Sequence, residues 1–375
     1  MDQNYQITWA REISKRLSTL KKHADLQKKK IIFTISSTSK TDPHNRPYLT
    51  PLRETATDYI SGVVVRSLDQ GILASLLLDG LVDRLYVDVE AKKGLLSTHD
   101  PELFESMNLK PLHLGQEGVS LFQVVSKNLK KTIAYPFKPN DLTVESVWFF
   151  ITSKIPVGTG ILIVGAGNIG FKLALKLTET GYPVSVHRRQ TKILEKFVEV
   201  LLSVRPPLTS TPVEVWDGKD LPPGVKVLVG VSDGIPVIHK EMVEALPLPS
   251  LVLDVGKGTV SSEAIESCHR LGHELYRTDI TCGLDAFVSG DRRNYEIQNF
   301  ELGRREVLPG ISIISGGYLG KREDVIVDNY LDPKHIVGMA DGLGDLVREP
   351  TTTQIEKIEK VKIYILERLK EKINV

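Results

Sequence analysis

The sequence predicts an α/β protein built on a doubly wound parallel sheet, with a second α/β domain formed from the N-terminal and C-terminal segments. Three observations carry this reading. An apolar strand at 161–164 runs into glycines at 165, 167 and 170 and then into an amphipathic helix; strands and helices alternate from there to about residue 279; a separate strand–helix–strand pattern occupies residues 62–90. With 375 residues the chain is longer than one ordinary core supports, so two domains are expected.

Each element follows from its local pattern. Residues 7–29 place Trp9, Ile13, Leu17 and Leu20 at helical spacing, which predicts a packing or dimer helix. The β-branched run 31–37 predicts a buried strand, and a polar loop with prolines follows to about Pro51. Residues 62–66 and 84–90 predict strands on either side of a helix with Asp69 near its start. After a mixed stretch that holds a helix and a short strand, Thr143 is placed to cap a helix and Glu145 falls in its first turn, where an acid suits the helix dipole. The expected boundaries are an N-terminal helix at 1–30, an α/β substrate domain at 31–140, the doubly wound domain at 141–285, and a segment at 286–375 that completes the substrate domain and ends in a long helix.

Composition narrows the class. Apolar residues at 41% and charged residues at 25% describe a soluble globular chain, and 48 basic against 47 acidic side chains leave a formal charge of +1. Such a balance gives no bulk attraction to nucleic acid or membrane, and the run Lys21, Lys22, Lys28, Lys29 and Lys30 reads as a solvated helix face. Cys268 and Cys282 are too few for a disulfide framework or a thiolate metal cluster. The N-terminal residues lack the apolar core of a signal peptide, and the longest apolar runs are too short to cross a bilayer, so a cytoplasmic protein is expected.

The most specific signal is ILIVGAGNIGFKLALKLTETGYPVSVHRR at 161–189. Gly165, Gly167 and Gly170 have the spacing of the Rossmann dinucleotide turn: the first allows the tight turn, the second lets the backbone approach a pyrophosphate, and the third lets the helix lie close to its strand. Asn168 and Ile169 begin that helix, whose first amides face the phosphates. Where an NAD site carries an acid for the ribose hydroxyls, this chain reads His187, Arg188, Arg189. Guanidinium groups pair with a 2′-phosphate that a carboxylate would repel, so NADP(H) is favoured over NAD(H).

Further strands are expected at 213–216, 225–231, 251–256 and 273–279, with helices at 190–203, 239–246 and 261–271. Ligands of such sheets lie at the carboxyl ends of the strands, which selects Val231, Ser232, Asp233 and Gly234, then Gly256, Lys257 and Gly258. The stretch VLVGVSDGIPVIHKEMVEALPLPSLVLDVGKGT at 227–259 resembles the NADP domain of the shikimate dehydrogenase, methylenetetrahydrofolate dehydrogenase and glutamyl-tRNA reductase superfamily. The resemblance spans about residues 145–285 and implies an N-terminal catalytic domain with the active site in the cleft beside the cofactor domain. Counterparts of the shikimate enzymes' Ser-x-Ser and Asn-Thr-Asp segments, and of the reductase's nucleophilic cysteine, are missing. None of those specific activities is carried over.

Proton-transfer chemistry beside an oxo or imino carbon needs an acid or base. The candidates are Lys92 and Lys93 after the strand 84–90, with Asp88 and Glu90 nearby, then Lys257 between two glycines, and Asp279 in the polar turn with Thr281, Cys282, Gly283 and Asp285. Cys282 has no flanking base and reads as a packing residue. Lys40, His44 and Arg46 in the proline loop are candidates for a substrate carboxylate, and Ser315, Lys321, Asp341 and Asp345 are the polar groups of the glycine-rich C-terminal segment. Those carboxylates match no metal-binding spacing, so no metal is expected. The expected function is an NADP-dependent oxidoreductase acting on a small polar oxo or imino compound, as a homo-oligomer without nucleic acid or membrane partners. A lyase or cyclase with a retained nucleotide, and a nucleotide-sensing protein without chemistry, stay open as alternatives.

Overall fold

The computed structural model describes residues 3–38, 44, 46–90, 120–206, 208 and 211–373. The chain divides into two compact units, Met1–Asp285 and Ala286–Val375.

The first unit holds two sheets. In the N-terminal one, β1 (Lys30–Ser37), β4 (Asp58–Val65), β5 (Arg84–Asp88) and β6 (Ala134–Phe137) run parallel in the order β4-β1-β5-β6, while β2 (Tyr48–Leu49) and β3 (Arg53–Glu54) pair antiparallel with β4. The expected strand–helix–strand unit is therefore present, with β1 inserted between its two strands. Helix Gln3–Gln27 lays Trp9, Ile13, Leu17 and Leu20 into the core against Ile31, Phe33 and Ile35 of β1, so its apolar stripe is a packing face. Helices Leu68–Leu78 and Leu121–Asn128 share that core.

The central sheet consists of β7 (Gly160–Val164), β8 (Val184–His187), β9 (Val213–Val215), β10 (Val225–Gly230), β11 (Leu251–Asp254) and β12 (Glu274–Arg277). All its pairings are parallel and the spatial order is β12-β11-β10-β7-β8-β9. That is the Rossmann order 3-2-1-4-5-6 read from the other edge. Ile161 and Ile163 face a core with helices Asn168–Glu179 and Thr191–Val204, whereas Leu162 and Val164 face one with Ile238, Val243, Ala264 and Cys268. Alternation along one strand thus covers both faces, the mark of double winding.

The helix leading into this domain begins a turn earlier than expected. It spans Pro139–Lys154, with the proline at its first position and Lys138 as N-cap. Thr143 is consequently inside the helix, donating to the Pro139 carbonyl at 3.0 Å, and Glu145 pairs at 2.6 Å with Lys176 of helix Asn168–Glu179.

The second unit builds its own sheet. Strands β13 (Arg304–Leu308), β14 (Ile311–Ser315), β15 (Val325–Val327) and β16 (Ile336–Met339) pair with one another in the order β13-β14-β15-β16. Helix Thr352–Ile373 covers this sheet through Val361 and Ile365, while Ile355 in its first turn is exposed. Arg304 holds the buried Asp324 through two bonds of 2.8 and 2.9 Å.

Candidate functional site

Strand β7 is buried along its whole length and ends at Gly165, whose φ of +90° is open to glycine alone among common residues. The Gly165 and Ala166 amides both donate to the His187 carbonyl at 3.0 Å, which ties the turn to the end of β8. A Cβ on Gly165 would lie 2.9 Å from the Ser232 nitrogen, and one on Gly170 would lie 3.2 Å from Val231 Cγ2. Gly167 differs: the nearest atom to its Cβ position is the Gly165 oxygen at 3.9 Å. The helix that follows, Asn168–Glu179, has no side-chain N-cap. The turn therefore combines a cleared space with uncapped helix amides, and these features fit a pyrophosphate.

At the tip of β8, His187 Nδ1 lies 3.1 Å from the Trp216 carbonyl and the ring meets Trp216 edge-on with centroids 5.2 Å apart. A carbonyl only accepts, so Nδ1 carries the hydrogen. Arg188 reaches back to the glycine turn, its Nη1 3.5 Å from the Ala166 carbonyl, and its Nη2 lies 3.3 Å from Gln190 Oε1. Arg189 is exposed and makes no hydrogen bond or ion pair among the described residues. Residues 187–191 contain no carboxylate.

The loops after β10 and β11 touch. Val231 is buried against Gly170, and a Cβ on Gly256 would fall 1.9 Å from the Ser232 oxygen. Asp254 closes the second loop. Its carboxylate accepts from the Gly258 amide at 2.8 Å, from the Thr259 amide at 2.9 Å, from the Thr259 hydroxyl at 2.8 Å and from Arg277 Nε at 3.2 Å. Burial opposes its ionisation, yet these donors outweigh burial and hold its pKa below the usual carboxylate value. The closed loop presents Lys257 outward in a left-handed conformation, φ +58°.

Beyond β12, Asp279 accepts from the Thr281 amide at 2.7 Å and from its hydroxyl. The Thr281 hydroxyl lowers the Asp279 pKa most, against burial, and the charges of Arg53 and Lys257 lower it further. Arg53 was not singled out from the sequence. It comes from β3 of the N-terminal sheet, donates from Nε to Thr281 Oγ1 at 2.8 Å and lies 3.8 Å from Asp279. Lys257, Asp279, Thr281 and Arg53 thus form one cluster beside the Ser232–Gly256 contact. Its only local sequence sign is an arginine following a proline loop.

Other candidates have structural duties. Asp88 is buried and accepts from the Ser37 amide and hydroxyl at 3.0 and 2.8 Å and from the Glu90 amide at 2.8 Å, while Glu90 accepts from the Asn140 amide at 2.9 Å. Gly283 packs against Leu142 and Ser146 and Asp285 is half-buried, but Cys282 is exposed and so is not the packing residue it was expected to be. Arg46 gives its carbonyl to Arg66 Nε at 3.0 Å, and His44 lies in a turn. In the second unit, Ser315 is buried, Lys321 donates its amide to Asp324, and Asp341 and Asp345 accept from nearby amides, so these groups shape turns. Lys40, Lys92 and Lys93 lie outside the described residues. Among the described residues no group of three or more His, Cys, Asp or Glu could hold a metal ion, and no helix is long and apolar enough to cross a membrane.

No family model and no curated protein matches the sequence. Solved structures similar to the chain include L-tryptophan dehydrogenase from Nostoc punctiforme, at 12% identity and a TM-score of 0.36 over 66% of this chain and 70% of that one. Another is 5-ketofructose reductase of a Gluconobacter species, at 14% identity and a TM-score of 0.35 over 72% of this chain and 92% of that one. A shikimate dehydrogenase in complex with NADP+ is 12% identical with a TM-score of 0.35, over 72% of this chain and 90% of that one. The Rossmann topology of the central sheet stands on its own strand order.

Proposed function

We propose that the chain is an NADP-dependent oxidoreductase that transfers hydride to or from a small polar oxo or imino compound. The observation that carries this reading is the pairing of the cleared Gly167 turn with Arg188 folded over the same loop, at a strand tip without a carboxylate. Gly165, Gly167, Asn168, Ile169 and Gly170 would take the pyrophosphate, and His187, Arg188 and Arg189 the adenosine 2′-phosphate. Val231, Ser232 and Gly256 would border the nicotinamide, which supplies or accepts the hydride when bound.

The protein's own part is proton transfer and orientation. Lys257, raised on its left-handed turn, would give a proton to the substrate oxygen or nitrogen as the carbon is reduced and regain it from solvent; Asp279 and Thr281 hold the far side of the cluster. Calorimetric titration of the purified protein with NADPH and NADH tests the reading. NADPH is expected to bind the more tightly, and absence of binding by both at millimolar concentration would overturn it.

A further inference from the structure

We propose that the compound taken up here carries a carboxylate and that Arg53 is the residue that holds it, an inference that rests on the oxidoreductase reading above. Arg53 reaches from the N-terminal sheet to the carboxyl ends of β11 and β12, and only 15% of its side chain is exposed. A guanidinium carries five N–H donors. Here Nε donates to Thr281 Oγ1 and Nη1 to the Pro51 carbonyl at 3.3 Å, so the rest of the fork has no acceptor among the described residues. A cation taken largely out of water with donors to spare is best satisfied by a planar anion that binds two of them together.

Asp279 does not fill that role. It is 3.8 Å from Nε, its side chain is 74% exposed, and its Oδ1 already accepts from the Thr281 amide and hydroxyl. Lys257 adds a second positive charge that acts on Asp279 in the same cluster. The spare Arg53 donors lie in the cluster beside the Ser232 and Gly256 loops, where a reducible carbon would meet the nicotinamide. An oxo or imino acid meets both requirements: its carboxylate faces Arg53, and the adjacent carbon accepts hydride from NADPH while Lys257 gives the proton to the oxygen or nitrogen; the hydroxy or amino acid would run the reverse step, giving hydride to NADP+ and its proton to Lys257.

The test compares glyoxylate, pyruvate and 2-oxoglutarate with their methyl esters, by calorimetry without nucleotide and by NADPH oxidation, on the wild type, Arg53→Met and Arg53→Lys. At least one acid should bind, and its ester should bind at least about tenfold more weakly, as expected for a lost charge-assisted bond. Arg53→Met should weaken the acid by about the same factor and leave its ester and the NADPH affinity unchanged. Arg53→Lys, which keeps the charge but loses the fork, should fall between; it carries the comparison if the methionine variant does not fold. Esters bound as well as acids, no acid bound, or an acid indifferent to both substitutions would overturn the proposal. A wild type that binds an acid through Arg53 but neither coenzyme would overturn the oxidoreductase reading and leave the carboxylate site standing.

Discussion

Thr259 is bonded twice to Asp254, its amide at 2.9 Å and its hydroxyl at 2.8 Å both reaching Oδ1. Together with the Gly258 amide, these bonds fold residues 256–259 back over the end of β11 and force Lys257 into its left-handed conformation. Asp254→Asn puts an amide donor where the carboxylate accepts from backbone N–H groups. It should destabilise the protein by roughly 1–3 kcal/mol. The pH dependence has a definite sign. The folded pKa of Asp254 is depressed, so its stabilisation is present above the unfolded carboxylate value, about 3.9, and is lost as pH falls through the folded pKa. Urea midpoints at neutral and acidic pH should therefore converge for wild type and variant; a constant gap would show that the carboxylate's charge is not what holds the loop.

His273 gives a pH dependence of the same sign in a higher window. Its Nδ1 accepts from the Ser250 amide at 3.2 Å, the ring is buried, and burial lowers its pKa against a weaker opposing contribution from the Val243 carbonyl. The unfolded chain thus takes up a proton before the folded one does. Stability should fall as pH drops below about 6.5, the unfolded histidine value. His273→Asn keeps an acceptor for Ser250 and removes the titration, so its urea midpoint should change less between pH 7.5 and 5.5. Equal slopes for the two proteins would assign the effect to other groups.

The glycine turn was legible because all its requirements are local: a buried strand, a left-handed residue and a close helix are written within ten residues. The start of the next-upstream helix was not. Thr143 and Glu145 have the composition of a helix start, but Pro139 occupies the first helical position, and Glu145 instead pairs with Lys176. Asp88 looked like a proton-transfer partner, whereas it holds the end of β1 through Ser37, a relation 51 residues long in sequence. Arg53 and Thr281 are 228 residues apart, and no periodicity connects them. The C-terminal strands are brief and broken by glycines, so their pairing among themselves had no sequence signature. Local rules fixed the glycine turn; the polar cluster depends on chain folding that brings two sheets together.

Arg188 and Arg189 should act on the coenzyme's extra phosphate and little else. Arg188→Ala and Arg189→Ala are each expected to weaken NADPH about tenfold or more and NADH by less than about threefold, because only the former offers a dianionic partner for a charge-assisted bond. The larger effect is expected at Arg188, whose guanidinium already lies against the Ala166 carbonyl of the turn. Raising salt should compress the difference, since Arg189 is exposed. Equal losses for the two coenzymes would place the 2′-phosphate elsewhere.

The two glycines of the turn separate folding from binding. Gly165 has φ +90° and its Cβ position is 2.9 Å from the Ser232 nitrogen, a backbone atom that cannot swing aside. Gly165→Ala should therefore cost on the order of 1–3 kcal/mol of stability and lower the unfolding midpoint. Gly167 lies at φ −107°, away from the left-handed region, and its Cβ would enter open space. Gly167→Ala should leave stability within about 0.5 kcal/mol of wild type. If that space is the pyrophosphate cradle, the added methyl must still weaken both NADPH and NADH, because the diphosphate is common to them. Calorimetry on a Gly167→Ala protein of unchanged melting temperature isolates the ligand's requirement from the fold's, and undiminished affinity for both coenzymes would show that the turn does not carry the phosphates.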